Sequence, residues 1–150
     1  MKAVIQRVSN ASVSIDGSVH ASINQGFLVL LGVHKEDTEN DAKWIAKKIA
    51  GLRVFEDEDG KMNADLGAID GQILVISQFT LIASNKKGNR PSFNDAAPPK
   101  QGDALYKAAV EELETLTGKP VRTGIFGADM KVSLLNDGPV TILFDTRNKE

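Results

Sequence analysis

Apolar residues recur along this chain at two different periods. Alternating or continuously apolar runs occupy residues 3–8, 11–15, 19–23, 27–33, 52–55, 73–82, 121–125, 130–135 and 140–144, and such runs read as strands. Asp16-Gly17 and Asn24-Gln25-Gly26 punctuate the first of them as hairpins, and Asp59-Gly60 closes the acidic stretch Phe-Glu-Asp-Glu-Asp-Gly. Two segments change to the helical period. Thr38-Glu-Asn-Asp41 has the spacing of a capping box, Ala42, Ile45 and Ile49 follow on one stripe, and Gly51 marks the stop. From Asp103 to Thr117 a second stripe runs through Leu105, Ala109, Leu113 and Leu116 and ends at Gly118-Lys-Pro120. The pattern predicts a β-rich α/β domain with two amphipathic helices.

Composition narrows the classes available. At 150 residues the chain is expected to form one domain, residues 1–150, large enough to bury a core without staples. It has no cysteine, which removes disulfides, thiol nucleophiles and thiolate metal sites together. No leader-like segment opens it and no apolar stretch approaches the ~20 residues of a membrane span, so a cytoplasmic location is expected. Eighteen Lys and Arg against twenty Asp and Glu give a net charge of −2. A polyanionic partner would therefore have to be held by a local patch rather than a global field.

The common catalytic sets fail by inventory. There is no glycine-rich dinucleotide or P-loop signature. His20 and His34 lie in or beside strands with no nucleophile motif, which favours structural or surface roles. In Glu56-Asp-Glu-Asp-Gly60 the glycine comes too early for a calcium loop, so a solvated turn is expected. Lys86, Lys87 and Arg90 make Ser-Asn-Lys-Lys-Gly-Asn-Arg-Pro-Ser-Phe basic, either as a solvated connection or as a phosphate contact.

Two stretches stand apart. In Ser77-Gln-Phe-Thr-Leu81 a strand apolar on both faces acquires polar groups, which need partners either in an internal network or on a pocket floor. In Asn136-Asp-Gly-Pro-Val-Thr141 a glycine and a proline interrupt what is otherwise strand sequence, where one packs nothing and the other cannot donate to a ladder.

The pair, in this order and spacing, resembles the signature motifs of the D-aminoacyl-tRNA deacylase family. The resemblance extends to Ile5-Gln-Arg-Val8, Arg90-Pro-Ser-Phe93 and Gly127-Ala-Asp-Met130 and spans essentially the whole chain. It implies mostly antiparallel sheets layered β/β/α and a homodimer without cofactor or metal. The implied activity is hydrolysis of the ester between a D-amino acid, or glycine, and the 3′ end of tRNA, with no membrane or DNA partner. Ser77, Gln78, Phe79 and Thr80 would form the catalytic segment, with backbone N–H groups near Gln78 and Phe79 stabilising the oxyanion. Thr80 is then either a hydrogen-bonding residue, with the tRNA 2′-OH assisting, or a covalent nucleophile. Gly138 and Pro139, joined by a cis peptide, would enter the partner's pocket and exclude L-amino acids, Met130 would face the terminal adenine, and Arg7 would brace the pocket. A non-catalytic dimeric RNA-binding module on the same fold is the alternative.

Overall fold

A computed structural model describes residues 1–150. Its spine is β1 (Lys2–Ile15), which bends enough to serve two neighbours along one edge. Residues Lys2 to Val8 pair antiparallel with β3 (Gly26–Gly32), and residues Ala11 to Ile15 pair with β2 (Ser18–Ile23). The β1–β2 turn is Asp16-Gly17, both in left-handed backbone at φ 51° and 81°, the conformation that two-residue hairpins require.

Two further strands, β4 (Phe55–Glu56) and β5 (Met62–Ala64), form a small hairpin around the acidic turn. Next comes β6 (Gln72–Ser77), which adds parallel to β3, and β7 (Arg122–Thr123) adds parallel to β6. The last strand, β8 (Lys131–Asp145), runs antiparallel along β1 for almost its whole length. The helices are α1 (Glu39–Ala50) and α2 (Pro99–Thr117), packed on each other.

Alternation along the central strands explains the layering. Phe27, Val29, Leu31, Ile73 and Val75 point to one face and join Ile45, Ile49, Leu105 and Leu113 of the helices in the larger core. Leu28, Leu74 and Ile76 point to the other face and meet Val8, Ala11, Val13 and Ile23 of β1 and β2 in a second core. Two apolar faces on one sheet demand two covers. The result is a β/β/α stack of mostly antiparallel strands, as expected, with no helix long and apolar enough to cross a membrane.

Three boundaries differ from the sequence pattern. The strand expected over residues 73–82 ends at Ser77, and Phe79–Ile82 form a 3₁₀ turn. Its partner β3 ends at Gly32, and the Gln78 N–H donates the last rung to the Leu31 carbonyl at 2.8 Å; without a neighbour the extended chain has nothing to continue on. Helix α2 starts at Pro99 rather than Asp103, because Pro at the first helical position is pre-set for a helix and loses no bond there. The runs at 130–135 and 140–144 are one strand, β8, interrupted by a bulge.

Candidate functional site

The end of β6 opens into a cavity of about 820 Å³ between the sheet and the N-terminal half of α2. Ser77, Gln78 and Phe79 line one side, Phe126 and Met130 another, and Phe93 the mouth. Phe79 is 59 % exposed, and its ring meets Phe93 edge-to-face with centroids 5.2 Å apart. With Phe79 exposed and Phe93 half-buried, the pair gives the cavity an apolar rim. Met130 also packs toward the second core, against the space that a side chain at Gly124 would need. It is at once wall and core.

The 3₁₀ turn fixes the polar groups of this site. The first N–H groups of any helical turn lack partners within it, and no side chain caps this one. Because the Gln78 N–H is occupied by Leu31, the groups available are those of Phe79 and Thr80, one residue further along than the sequence suggested. The Gln78 side-chain amide donates to Thr80 Oγ1, so Gln78 orients the threonine hydroxyl and does not activate it.

Ionisable groups are scarce here. Among the residues lining the cavity only Asp129 and Tyr106 titrate. Tyr106 donates to the Val75 carbonyl at 2.8 Å, and burial, with the nearby Asp103 charge second, pushes its hydroxyl well above the ordinary tyrosine value. It is a neutral strut and not a base. His34 accepts from the Glu36 N–H at 3.1 Å and His20 sits on the exposed face of β2, both outside the cavity. No three His, Asp or Glu side chains gather as a metal-ligand set.

Gly138 and Pro139 lie elsewhere in the same chain. The β1–β8 ladder passes from Val8↔Asn136 to Gln6↔Thr141, leaving residues 137–140 opposite Arg7 alone, a wide bulge whose tip is the exposed Gly138-Pro139, joined by a cis peptide. Arg7 Nε donates to the Asp137 carbonyl at 3.0 Å and its Nη1 to the Val54 carbonyl at 2.6 Å, tying the bulge to the loop after α1. Asn136, which the sequence reading passed over, closes it from within. Its Nδ2 donates to the Val140 and Arg7 carbonyls, each at 3.0 Å. An asparagine at the start of a turn was the available signal. Gly138 itself has φ 137°, and a Cβ there would meet Val140 Cγ2 at 2.8 Å and Arg7 Nη2 at 3.2 Å, so only glycine fits.

Strand register separates the two motifs. Arg7 is level with Phe27 and Ile73, whereas Ser77 lies four residues further along and three strands across from β8. With ~4.8 Å between strands and ~3.3 Å per residue, that is on the order of 20 Å. One chain therefore brings together Ser77, Gln78, Phe79, Thr80 and Met130, and separately Arg7, Gly138 and Pro139.

A family model described as D-Tyr-tRNA(Tyr) deacylase matches residues 4–145. The chain belongs to that deacylase family. Proteins named D-aminoacyl-tRNA deacylase from Parabacteroides distasonis and Geobacter sulfurreducens are 55% and 57% identical to it. The first alignment covers all of both chains, and the second 99% of this chain and 97% of the relative. Among solved structures, the c-Myc DNA Unwinding Element Binding Protein superposes with a TM-score of 0.91 at 42% identity, over 97% of this chain and 99% of that one. A probable eukaryotic D-amino acid tRNA deacylase shares the fold with a TM-score of 0.82 at 15% identity, over 95% and 97%. Membership makes this chain a deacylase, a hydrolase of an ester bond, and fits a cavity that offers hydrogen-bond donors without a conventional nucleophile–base pair.

Proposed function

We propose that this deacylase hydrolyses the ester joining a D-amino acid, or glycine, to the 3′-terminal ribose of tRNA, spares L-aminoacyl-tRNA, and works as a cytoplasmic homodimer. The observation that carries the chemistry is the uncapped turn at the cavity, with the Phe79 and Thr80 N–H groups available and, in the cavity lining, a single carboxylate, Asp129, paired with Lys131 at 3.2 Å. Aminoacyl esters are already activated, so positioning and stabilisation of the developing oxyanion carry most of the work. The ester carbonyl oxygen takes the two N–H groups. Water adds to the acyl carbon with the neighbouring ribose 2′-OH relaying its proton, the bond to the ribose oxygen breaks, and that oxygen leaves with the proton. Thr80, already engaged with Gln78, contributes a hydrogen bond rather than a covalent step. The apolar wall of Met130, Phe79 and Phe93 receives the terminal adenine.

Chiral selection rests on the partner protomer. Gly138-Pro139 is exposed and on the order of 20 Å from its own Ser77, and β8 is an edge strand with Leu135 and Leu143 57% and 72% exposed. Edges of this kind need a cover. A two-fold pair supports both, since each bulge then enters the other cavity. With the substrate ammonium on the Gly138 and Pro139 carbonyls and the ester on the turn, two substituents of the α-carbon are fixed. A D side chain points outward, an L side chain meets the Gly-Pro backbone, and glycine passes either way.

Deacylation assays on D-Tyr-tRNA, L-Tyr-tRNA and Gly-tRNA test the proposal. The D- and glycyl-esters should be cleaved and the L-ester spared. Equal rates on both enantiomers would overturn the selectivity, and tRNA binding with no turnover on any ester would favour the non-catalytic RNA-binding module.

A further inference from the structure

One charged feature is left unused by the mechanism. The ten residues Ser84 to Phe93 carry Lys86, Lys87 and Arg90 and no acid. The other 140 residues hold 15 basic and 20 acidic side chains, from 18 − 3 and 20 − 0, a net −5. Outside this loop the net charge is therefore negative, whereas the loop itself is purely basic. None of the three cations belongs to any of the chain's ion pairs. Asp95, the nearest carboxylate in sequence, is already bound to Lys35 Nζ at 2.8 Å.

Geometry gives this loop a direction. Ser84 and Ser92 exchange both backbone hydrogen bonds at 2.9 Å, pinching its base. Residues 85–91 are all exposed, and Gly88 at the tip, with φ 78°, has nothing within 4 Å of where a Cβ would stand. The base adjoins the cavity on both sides, through the Phe79–Ile82 turn before it and through Phe93, edge-to-face with Phe79, after it. From that base three or four residues reach about 10 Å. Three cations outside any ion pair, on a pinched arm beside the mouth, match a phosphodiester backbone.

We propose that the arm of residues 84–92 grips phosphates of the tRNA strand as it approaches the cavity, supplying affinity and register on a protein whose remaining net charge is negative. This rests on the deacylase reading for its substrate, but binding tests it separately. The triple variant Lys86→Gln/Lys87→Gln/Arg90→Gln is compared with a control triple, Lys43→Gln/Lys47→Gln/Lys61→Gln, which removes three exposed lysines elsewhere. Uncharged tRNA binding is measured as a function of salt, alongside hydrolysis of D-Tyr-tRNA and of D-tyrosyl-adenosine, an ester with no phosphates.

Each phosphate contact contributes about 0.7 to the salt slope of single-strand binding. The arm variant should lose about 2 from that slope and bind roughly tenfold more weakly at moderate salt, with KM raised on tRNA and hydrolysis of the adenosine ester unchanged. The control should keep slope and affinity. An unchanged slope in the arm variant, or an equal loss in the control, would overturn the proposal. If no ester is cleaved even by the unmodified protein, the proposed function fails while the binding comparison still decides the arm.

Discussion

At the scale of single residues, the proposed reaction works through backbone groups that side chains merely aim. Thr80 shows this: its hydroxyl takes the Gln78 amide, which cannot act as a base. Thr80→Ala should slow hydrolysis by about 5- to 150-fold, the value of one positioned hydrogen bond at roughly 1–3 kcal/mol. Complete inactivity with tRNA binding retained, or a trapped acyl ester on Thr80, would instead establish a covalent role. Asn136 has the complementary task. Asn136→Asp replaces two amide donations with a carboxylate facing the Val140 and Arg7 carbonyls. Losing the bonds alone costs about 1 kcal/mol each, so the bulge should loosen and the D-over-L ratio fall while hydrolysis of Gly-tRNA changes least. An unaltered ratio in that variant would detach the bulge from selectivity.

At the scale of elements, Tyr106 links α2 to β6 through its bond to the Val75 carbonyl. Its hydroxyl is held neutral by burial, so the folded state keeps a proton that the unfolded chain releases near pH 10. Stability from this group is complete below that pH and declines above it. Melting at pH 9 and pH 11 should show a loss in the unmodified protein that Tyr106→Phe lacks, with the variant about 1 kcal/mol less stable at neutral pH. An equal loss in both would assign the decline to other groups. Element type was largely legible in the sequence, since the alternation in β3 and β6 names both cores and Thr38 and Gly118 bound the helices. Element ends were less so. Nothing in Gln72 to Ile82 says that β3 stops at Gly32, so period alone carried the strand through residues that form a 3₁₀ turn. The short hairpin partner β5 was missed because Met62–Ala64 is too brief to show any period. In the site, the two motifs were legible and the resemblance implied that they meet across protomers, but the residue pattern by itself carried no distance between them, because distance across a sheet depends on register.

At the scale of the whole molecule, the separation of the motifs gives the proposed dimer a quantitative signature. One protomer with a defective turn and one with a defective bulge regain activity only as a mixed pair, which has one intact site of two. Random re-association of Thr80 and Gly138 variants, each chosen for low activity, should therefore restore about a quarter of the unmodified rate. No recovery from a proven mixed dimer would place both motifs in the same protomer. Leu143→Lys, at the most exposed of the large apolar positions, should shift sedimentation toward the monomer and abolish D-specific cleavage together. The β1–β8 ladder has a different consequence, in mechanics. Lys2 pairs with Asp145, and Thr146 N–H meets the Met1 carbonyl at 2.9 Å, so both ends of the described chain leave the same end of one ladder. Tension applied there loads the rungs singly, as a zipper, instead of together in shear. Five pairs, from Lys2↔Asp145 to Gln6↔Thr141, should part at low force. β1 stays paired with β3 while β8 peels away, so the fork then meets the Arg7 and Asn136 cross-links around the bulge, and a force–extension trace should pause there after releasing residues 141–150, a contour length of about 35 Å.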